Sequence, residues 1–157
     1  MKSKMETRRE FCTQACQAAS LLALGSVLPG CCSGSPTSSD GGNASQLPTL
    51  SATEANGAVS LTVDASSPLS AVGSAALVRT QVRSLLVAHT AQDAFSALTA
   101  ICTHQMCTIT GFTSDTYVCP CHGSRYDTSG HVLSGPAPSN LQQFATQFAN
   151  GVLTVSL

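Results

Sequence analysis

Two short segments decide how this chain is interpreted: CTHQMC at Cys102–Cys107 and CPCHGS at Cys119–Ser124, with eleven residues between them. The first offers a cysteine and a histidine as C-x-H, and the second offers them as C-x-x-H. Each segment also carries one additional cysteine. Mixed cysteine and histidine at such short spacing favours metal binding over a framework of disulfides alone. The pattern therefore predicts two loops that converge on one metal site.

The donor types in these loops favour an iron–sulfur cluster over other metals. A 2Fe–2S cluster can take two thiolates on one iron and two imidazoles on the other, which raises its reduction potential above that of an all-cysteine cluster. Zinc is a first alternative, but structural zinc motifs usually leave two or more residues between paired ligands. A framework made only of disulfides is a second alternative, and it leaves His104 and His122 without a role.

CTHQMC and CPCHGSRYD, followed by GPAP at 135–138, resemble the Rieske iron–sulfur proteins of cytochrome bc-type quinol-oxidising complexes. The resemblance covers about residues 55–157. It implies one Rieske-type 2Fe–2S cluster, with two cysteines on the inner iron, two histidines on the outer iron, and a Gly-Pro-rich loop over the cluster. The ligands implied in this way are Cys102, Cys119, His104 and His122.

The resemblance also assigns roles to residues beside the ligands. It implies a disulfide between Cys107 and Cys121, which fits an oxidising compartment. It implies that Ser124 donates a hydrogen bond to a bridging sulfide and that Tyr126 donates one to the sulfur of Cys102. Both bonds favour the more negative reduced cluster, so we expect them to raise its potential.

One departure from the family pattern concerns the partner. Quinol-oxidising members usually carry Leu-Gly between the first histidine and the additional cysteine, where this chain has Gln105-Met106. That position helps face the quinol pocket or docking surface. The polar glutamine therefore weakens the case for a quinol-oxidising partner, although the ligands are untouched.

Short apolar runs separated by turn residues predict an all-β fold for the rest of the body. Asn150-Gly151, between Phe148 and Val152, is a strong signal for a β-hairpin. The resemblance implies an antiparallel β-sandwich with a small cluster-binding subdomain inserted at about residues 100–138. The candidate strands are Ala58–Val63, Ala75–Thr80, Ser84–Ala88, Phe95–Ile101, Cys107–Thr110, Tyr117–Val118, Val132–Leu133, Leu141–Thr146 and Val152–Ser156.

The N-terminal region has the features of an export signal. Arg8-Arg9 and the weakly apolar run 15–28 resemble a twin-arginine (Tat) signal, which we place at residues 1–32. Leu28–Cys31 resembles a lipobox, so lipid at Cys31 or an uncleaved signal are two routes to membrane attachment. Residues 33–54 are rich in Gly, Ser and Pro and are expected to form a flexible linker to the domain at 55–157.

Charge and composition limit the partners. Charged residues make up 10% of the chain and the formal net charge is −1, so no nucleic-acid footprint is present. We expect an exported one-electron carrier, periplasmic or on the outer face of the membrane, with redox proteins as partners and no catalytic residues of its own. The alternatives are the Rieske subunit of a quinol–cytochrome c oxidoreductase, the small subunit of an arsenite-oxidase-like molybdenum enzyme, or a surface lipoprotein with a structural cluster.

Overall fold

Strands account for all regular secondary structure in residues 44–157, the part of the chain that the computed structural model describes. Within these residues there is no helix long and apolar enough to span a bilayer. The strands are β1 (Ser45–Gln46), β2 (Thr49–Ser51), β3 (Glu54–Ala55), β4 (Ala58–Thr62), β5 (Ala75–Arg79), β6 (Ser84–Ala91), β7 (Ala94–Thr99), β8 (Gly111–Thr113), β9 (Thr116–Val118), β10 (Arg125–Asp127), β11 (Val132–Ser134), β12 (Gln143–Ala149) and β13 (Val152–Ser156).

The strands form one large sheet and one small sheet. The large sheet has the order β2-β5-β6-β7-β12-β13-β4-β3, and the small sheet has the order β1-β8-β9-β10-β11. Neighbours are antiparallel except for β2 and β5, which are parallel. The edge strands β2 and β3 of the large sheet are separated by only two residues, 52–53, so the sheet must curl until its two edges approach each other.

The central strands β5, β6 and β7 are covered on both faces. Four consecutive residues are buried in each of them. Successive side chains of a strand point to opposite faces, and in β6 Leu86 belongs to one apolar cluster while Val87 belongs to the other. The first cluster also contains Cys102, Cys119 and Tyr126. The predicted metal loops therefore lie on one face of the large sheet, and the second cluster packs against its opposite face.

The all-β prediction is confirmed, and so is the hairpin at Asn150-Gly151. These two residues connect β12 to β13 with φ angles of 51° and 75°. Two consecutive residues with positive φ characterise the type I′ turn, whose twist matches that of the flanking strands. The expected strand at Cys107–Thr110 is wrong: only an isolated bridge between Ile101 and Thr108 forms there, and β8 begins at Gly111.

The predicted linker boundary at residue 54 also needs correction. Residues 45–55 contain β1, β2 and β3, which pair with β8, β5 and β4. Leu47, between β1 and β2, is buried in the core. Strands of two or three residues are too short to show a period in the sequence, so this segment was assigned to the linker. The predicted signal at 1–32, including Cys31, and the linker up to residue 43 lie outside the described residues.

Candidate functional site

The first predicted loop follows β7 and is closed by its own backbone. The N–H of Cys102 donates to the carbonyl of Cys107 at 2.8 Å, and the N–H of Met106 donates back to the carbonyl of Cys102 at 3.0 Å. These bonds fold the six residues into a tight turn. The first residue of the turn is anchored in the core, since Cys102 is 1% exposed, and the last residue, Cys107, packs against the same core while partly exposed.

The second loop, between β9 and β10, repeats this construction. The N–H of Cys119 donates to the carbonyl of Ser124 at 2.9 Å, and the N–H of Gly123 donates to the carbonyl of Cys119 at 3.0 Å. The fifth residue of each loop has positive φ, 71° at Gly123 and 57° at Met106. The two loops thus present their first cysteine from the same backbone frame, although the spacing to the histidine differs by one residue.

A disulfide joins the two loops. Cys107 and Cys121 are bonded, with their Cα atoms 6.5 Å apart. The pairing that the resemblance implied is confirmed. Because each of these cysteines lies beside or near a predicted ligand histidine, the bond limits how far the two loops can separate.

The other two cysteines of the loops carry free thiols. Cys102 and Cys119 are each 1% exposed and carry no disulfide. Burial tends to raise the pKa of the Cys102 thiol, but hydrogen bonds from the Tyr126 hydroxyl and the His104 N–H outweigh it, so this pKa lies below the ordinary value. At Cys119 burial prevails and the pKa is raised. The environment therefore favours a thiolate at Cys102 more than at Cys119.

The two predicted histidines approach each other at the outer end of the loops. The ring centroids of His104 and His122 are 4.9 Å apart, and the rings are nearly perpendicular at 85°. His122 is exposed. The Nδ1 atom of His104 is buried and has no hydrogen-bond partner among the described residues. A buried ring nitrogen without a partner is unusual and leaves a donor atom free for a ligand.

Two hydroxyls lie on the inner side of the site. The Tyr126 hydroxyl is 3.3 Å from the Cys102 sulfur, as the resemblance implied. Ser124 is fully buried, and its Oγ has no hydrogen-bond partner in residues 44–157. Buried polar groups are normally hydrogen-bonded. An unpartnered hydroxyl beside two free thiols therefore indicates that the site is built for a group with hydrogen-bond acceptors.

The segment 135–139 contacts the second loop at one end and the first loop at the other. Gly135 has φ +94°, and a Cβ atom placed on it would lie 2.6 Å from Cα of Ser124. At the other end, the Thr103 hydroxyl donates to the carbonyl of Ser139 at 2.7 Å. Sequence reasoning placed this segment over the site, but it did not identify Thr103 or the close approach at Gly135.

The predicted ligands and neighbouring hydroxyls are thus brought together, and their free donor atoms fit a 2Fe–2S cluster. The fit consists of two buried free thiols, an unpartnered imidazole nitrogen and an unpartnered serine hydroxyl. Among the described residues no group of three or more Cys, His, Asp or Glu side chains is arranged to hold a single metal ion. In a mixed Cys/His cluster the ligands are divided between two irons.

The other two histidines of the described residues lie in ordinary local contacts. His89 stacks on Phe95 and shares a 2.9 Å hydrogen bond with the carbonyl of Leu69. His131 is exposed and lies 3.2 Å from Asp127. Neither contact joins these rings to the two loops.

Comparison with known proteins establishes the class to which this fold and site belong. The family model described as the Rieske [2Fe-2S] domain matches residues 60–145, more than half of the chain. The chain therefore belongs to the Rieske [2Fe-2S] domain family. The resemblance stated from the two loops is confirmed, and so is the expectation of one Rieske-type 2Fe–2S cluster.

Among individual relatives, the chain is similar to the cytochrome b6-f complex iron-sulfur subunit of Chlorobaculum thiosulfatiphilum, at 36% identity over 64 residues. It is also similar to the mitochondrial cytochrome b-c1 complex subunit Rieske of Gallus gallus, at 45% identity over 60 residues. These matches cover 40% and 37% of this chain but only 35% and 22% of the relatives. A solved naphthalene 1,2-dioxygenase shares the fold, with a TM-score of 0.51 at 16% identity, over 62% of this chain and 25% of that one.

Proposed function

We propose that the protein is an exported one-electron carrier whose cluster is held by Cys102 and Cys119 on one iron and by His104 and His122 on the other. The observation that supports this most directly is the convergence of two free buried thiols and two adjacent imidazoles on loops that a disulfide joins. Each of these four side chains presents a donor atom of the type that such a cluster requires.

When bound, a 2Fe–2S cluster of this type takes up and releases one electron. The chain positions each thiol by a closed turn, buries both sulfurs and leaves the edge of His122 at the surface. The hydroxyls of Ser124 and Tyr126 lie where they can donate hydrogen bonds toward the sulfur atoms. Donation toward sulfur favours the more negatively charged state, so these two hydroxyls raise the potential.

Ligand substitution with a matched control tests the assignment. We expect purified wild-type protein to contain iron and acid-labile sulfide in equal amounts and to give, after dithionite reduction, an EPR signal with a low average g-value. His122→Ala should abolish that signal, while His131→Ala should retain it because the His131 ring lies beside Asp127 and belongs to neither loop. A wild-type protein that contained zinc without sulfide would refute the assignment, as would an unchanged signal in His122→Ala.

Ser124→Ala tests the hydrogen bond to the cluster separately from the ligands. The variant should bind the cluster with a lower midpoint potential, because the removed hydroxyl is the unpartnered one beside the thiols. Ser96→Ala is the control, since Ser96 is also buried with an unpartnered Oγ but lies in β7 and belongs to neither loop. Equal potentials in the two variants would contradict the role of Ser124.

A second candidate function is that of the Rieske subunit of a quinol–cytochrome c oxidoreductase. The relatives named as subunits of cytochrome b6-f and b-c1 complexes favour it. In that function the exposed ring of His122 would hydrogen-bond a quinol. Against it stands Gln105-Met106, which the loop presents to solvent, with Met106 74% exposed. Co-purification of the tagged chain with a haem-containing membrane protein, followed by a quinol oxidation assay, distinguishes a complex subunit from a free carrier.

Export and membrane attachment belong to the same proposal and are supported by the sequence alone. The twin arginines support the Tat route, which transports proteins that have already folded around a cofactor. Replacing Arg8 and Arg9 by lysine should retain the protein in the cytoplasm, as fractionation would show. Loss of fatty-acid labelling in Cys31→Ser would support a lipid anchor at Cys31, and labelling that persisted would exclude one at this residue.

A further inference from the structure

Thr103, between the proposed ligands Cys102 and His104, makes two hydrogen-bond contacts with the phenol of Tyr126 and a third with the backbone of Ser139. Its N–H donates to the Tyr126 oxygen at 3.3 Å. Its Oγ1 lies 3.2 Å from the same oxygen. The Oγ1–H group donates to the carbonyl of Ser139 at 2.7 Å. Thr103 therefore contacts both the segment 135–139 and the hydroxyl that faces the Cys102 sulfur.

These contacts compete for two hydroxyl protons, one on Thr103 and one on Tyr126. A threonine hydroxyl carries one proton, and here the carbonyl of Ser139, which can only accept, engages it at the shortest of the three distances. Toward Tyr126, Oγ1 then acts as an acceptor. The phenol also carries one proton, and it faces two acceptors at similar distances: Oγ1 of Thr103 at 3.2 Å and the sulfur of Cys102 at 3.3 Å.

We propose that Thr103 is a positioning residue whose Oγ1 competes with the Cys102 sulfur for the hydrogen bond from the Tyr126 hydroxyl. Through its bond to Ser139, Thr103 thereby makes the reduction potential depend on the position of the segment 135–139. The inference rests on the proposed function, because it requires the Cys102 sulfur to be a ligand of the cluster. When Thr103 donates to Ser139, the phenol is shared. When that bond is absent, the Oγ1–H group can donate to the phenol oxygen instead, and the phenol proton then faces the sulfur alone.

The proposal predicts an unusual sign. Removing a hydroxyl from a hydrogen-bond network near a cluster normally weakens donation to sulfur and lowers the potential. Thr103→Val removes a competing acceptor and should instead raise the potential above that of the wild type. Tyr126→Phe removes the donor itself and should lower it. Thr103→Ser keeps the hydroxyl and should leave the potential at the wild-type value.

The experiment is a double-mutant cycle on the cluster-loaded full chain, because the coupling between two contacting residues is measured only in this way. Midpoint potentials are compared for the wild type, Thr103→Val, Tyr126→Phe and the double variant, with the EPR signal recorded for each. The rise caused by Thr103→Val should vanish in the Tyr126→Phe background. In the same samples, amide hydrogen exchange at Ala137 and Ser139 should accelerate in Thr103→Val and remain unchanged in Thr103→Ser.

Each result decides the question. A potential in Thr103→Val that is lowered or unchanged would overturn the proposal. A rise that persisted in the Tyr126→Phe background would also overturn it, because greater access of water to the cluster would then explain the shift. Loss of the cluster in Thr103→Val but not in Thr103→Ser would show a purely structural role. A wild-type protein without the expected EPR signal would instead refute the proposed function, so the two failures are distinguishable.

Discussion

Replacing Gly135 by alanine should damage the site through contact with the backbone of Ser124. The Cβ atom would lie 2.6 Å from Cα of Ser124 and 3.0 Å from its nitrogen, both of them main-chain atoms. Cβ atoms do not occur at such distances, so either the segment 135–139 or the loop that carries Ser124 must move. The displaced loop contains two predicted ligands, Cys119 and His122.

The magnitude has two parts. Gly135 has φ +94°, and a residue with a Cβ atom in a positive-φ conformation is destabilised by roughly 1–2 kcal/mol. Overpacking in a well-packed region typically adds about 1–3 kcal/mol. The free energy of unfolding should therefore fall by about 2–5 kcal/mol, a large fraction of the roughly 5–15 kcal/mol of a typical domain.

Gly57→Ala is the matched control. Gly57 also has positive φ, +73°, but a Cβ atom there would have nothing within 4 Å. The backbone strain and the change in chain entropy are similar in the two variants, so their difference isolates the clash. At about 4 °C per kcal/mol for a domain of this size, the clash should lower the melting temperature by a further 4–12 °C or so.

Calorimetry of the cluster-loaded proteins measures this difference, and voltammetry of the same samples measures the effect on the cluster. Gly135→Ala should also lower the midpoint potential, because the backbone that carries the Ser124 hydroxyl has moved. Gly57→Ala should leave the potential unchanged. Equal melting temperatures and equal potentials in the two variants would show that the close packing of Gly135 on Ser124 affects neither the stability of the fold nor the cluster.

Three further predictions concern the disulfide, a buried phenol and the charge of the docking face. Replacing Cys107 and Cys121 by serine should lower stability by about 3 kcal/mol in chemical denaturation, as expected for a closed loop of this length, and an unchanged midpoint would contradict the bond. Tyr117 is buried, and its hydroxyl has no hydrogen-bond partner within the described part of the chain, so Tyr117→Phe should stabilise the fold by about 1 kcal/mol. Burial, aided by the charge of Asp115, raises the pKa of Tyr117. The folded state therefore keeps a proton that the unfolded chain releases above about pH 10. The free energy of unfolding of the wild type should fall above that pH, and that of Tyr117→Phe should fall less. Beyond residue 93 the side chains carry only three formal charges, and neither metal loop has any. The rate of electron transfer with a redox partner should therefore not decline between low and physiological ionic strength. Stopped-flow measurements check this prediction.

The residues of the site were predictable because their chemistry is unusual. Free cysteines and histidines at short spacing are rare, and the motif also identified Ser124 and Tyr126. The disulfide pairing came from the resemblance, since four cysteines permit three pairings. By contrast, Thr103 carries no such signal, because nothing about a threonine between two predicted ligands reveals that its hydroxyl contacts a segment 36 residues away.

The fold was predictable to the level of strands but not of their pairing. In β5 to β7 both faces are buried, so the alternation of apolar and polar residues that marks a half-buried strand is absent. The strands β5 to β7 were nevertheless predicted from their apolar runs, whereas the short strands β1 to β3 were missed because two or three residues are too few for any period to appear. The placement of β1 and β2 depends on partners more than 20 residues away in β8 and β5, and only the folded chain reveals these.

The two ends of the segment 135–139 connect these observations. One end contacts the backbone of Ser124 through Gly135, and the other contacts Tyr126 through Thr103. A general loosening of the segment would admit water and shift the potential in one direction whichever end was altered. The specific contacts predict opposite shifts: Gly135→Ala displaces a donor and lowers the potential, whereas Thr103→Val releases a donor and raises it. Shifts of the same sign in the two variants would show that solvent access controls the potential, and shifts of opposite sign would show that the hydrogen bonds do.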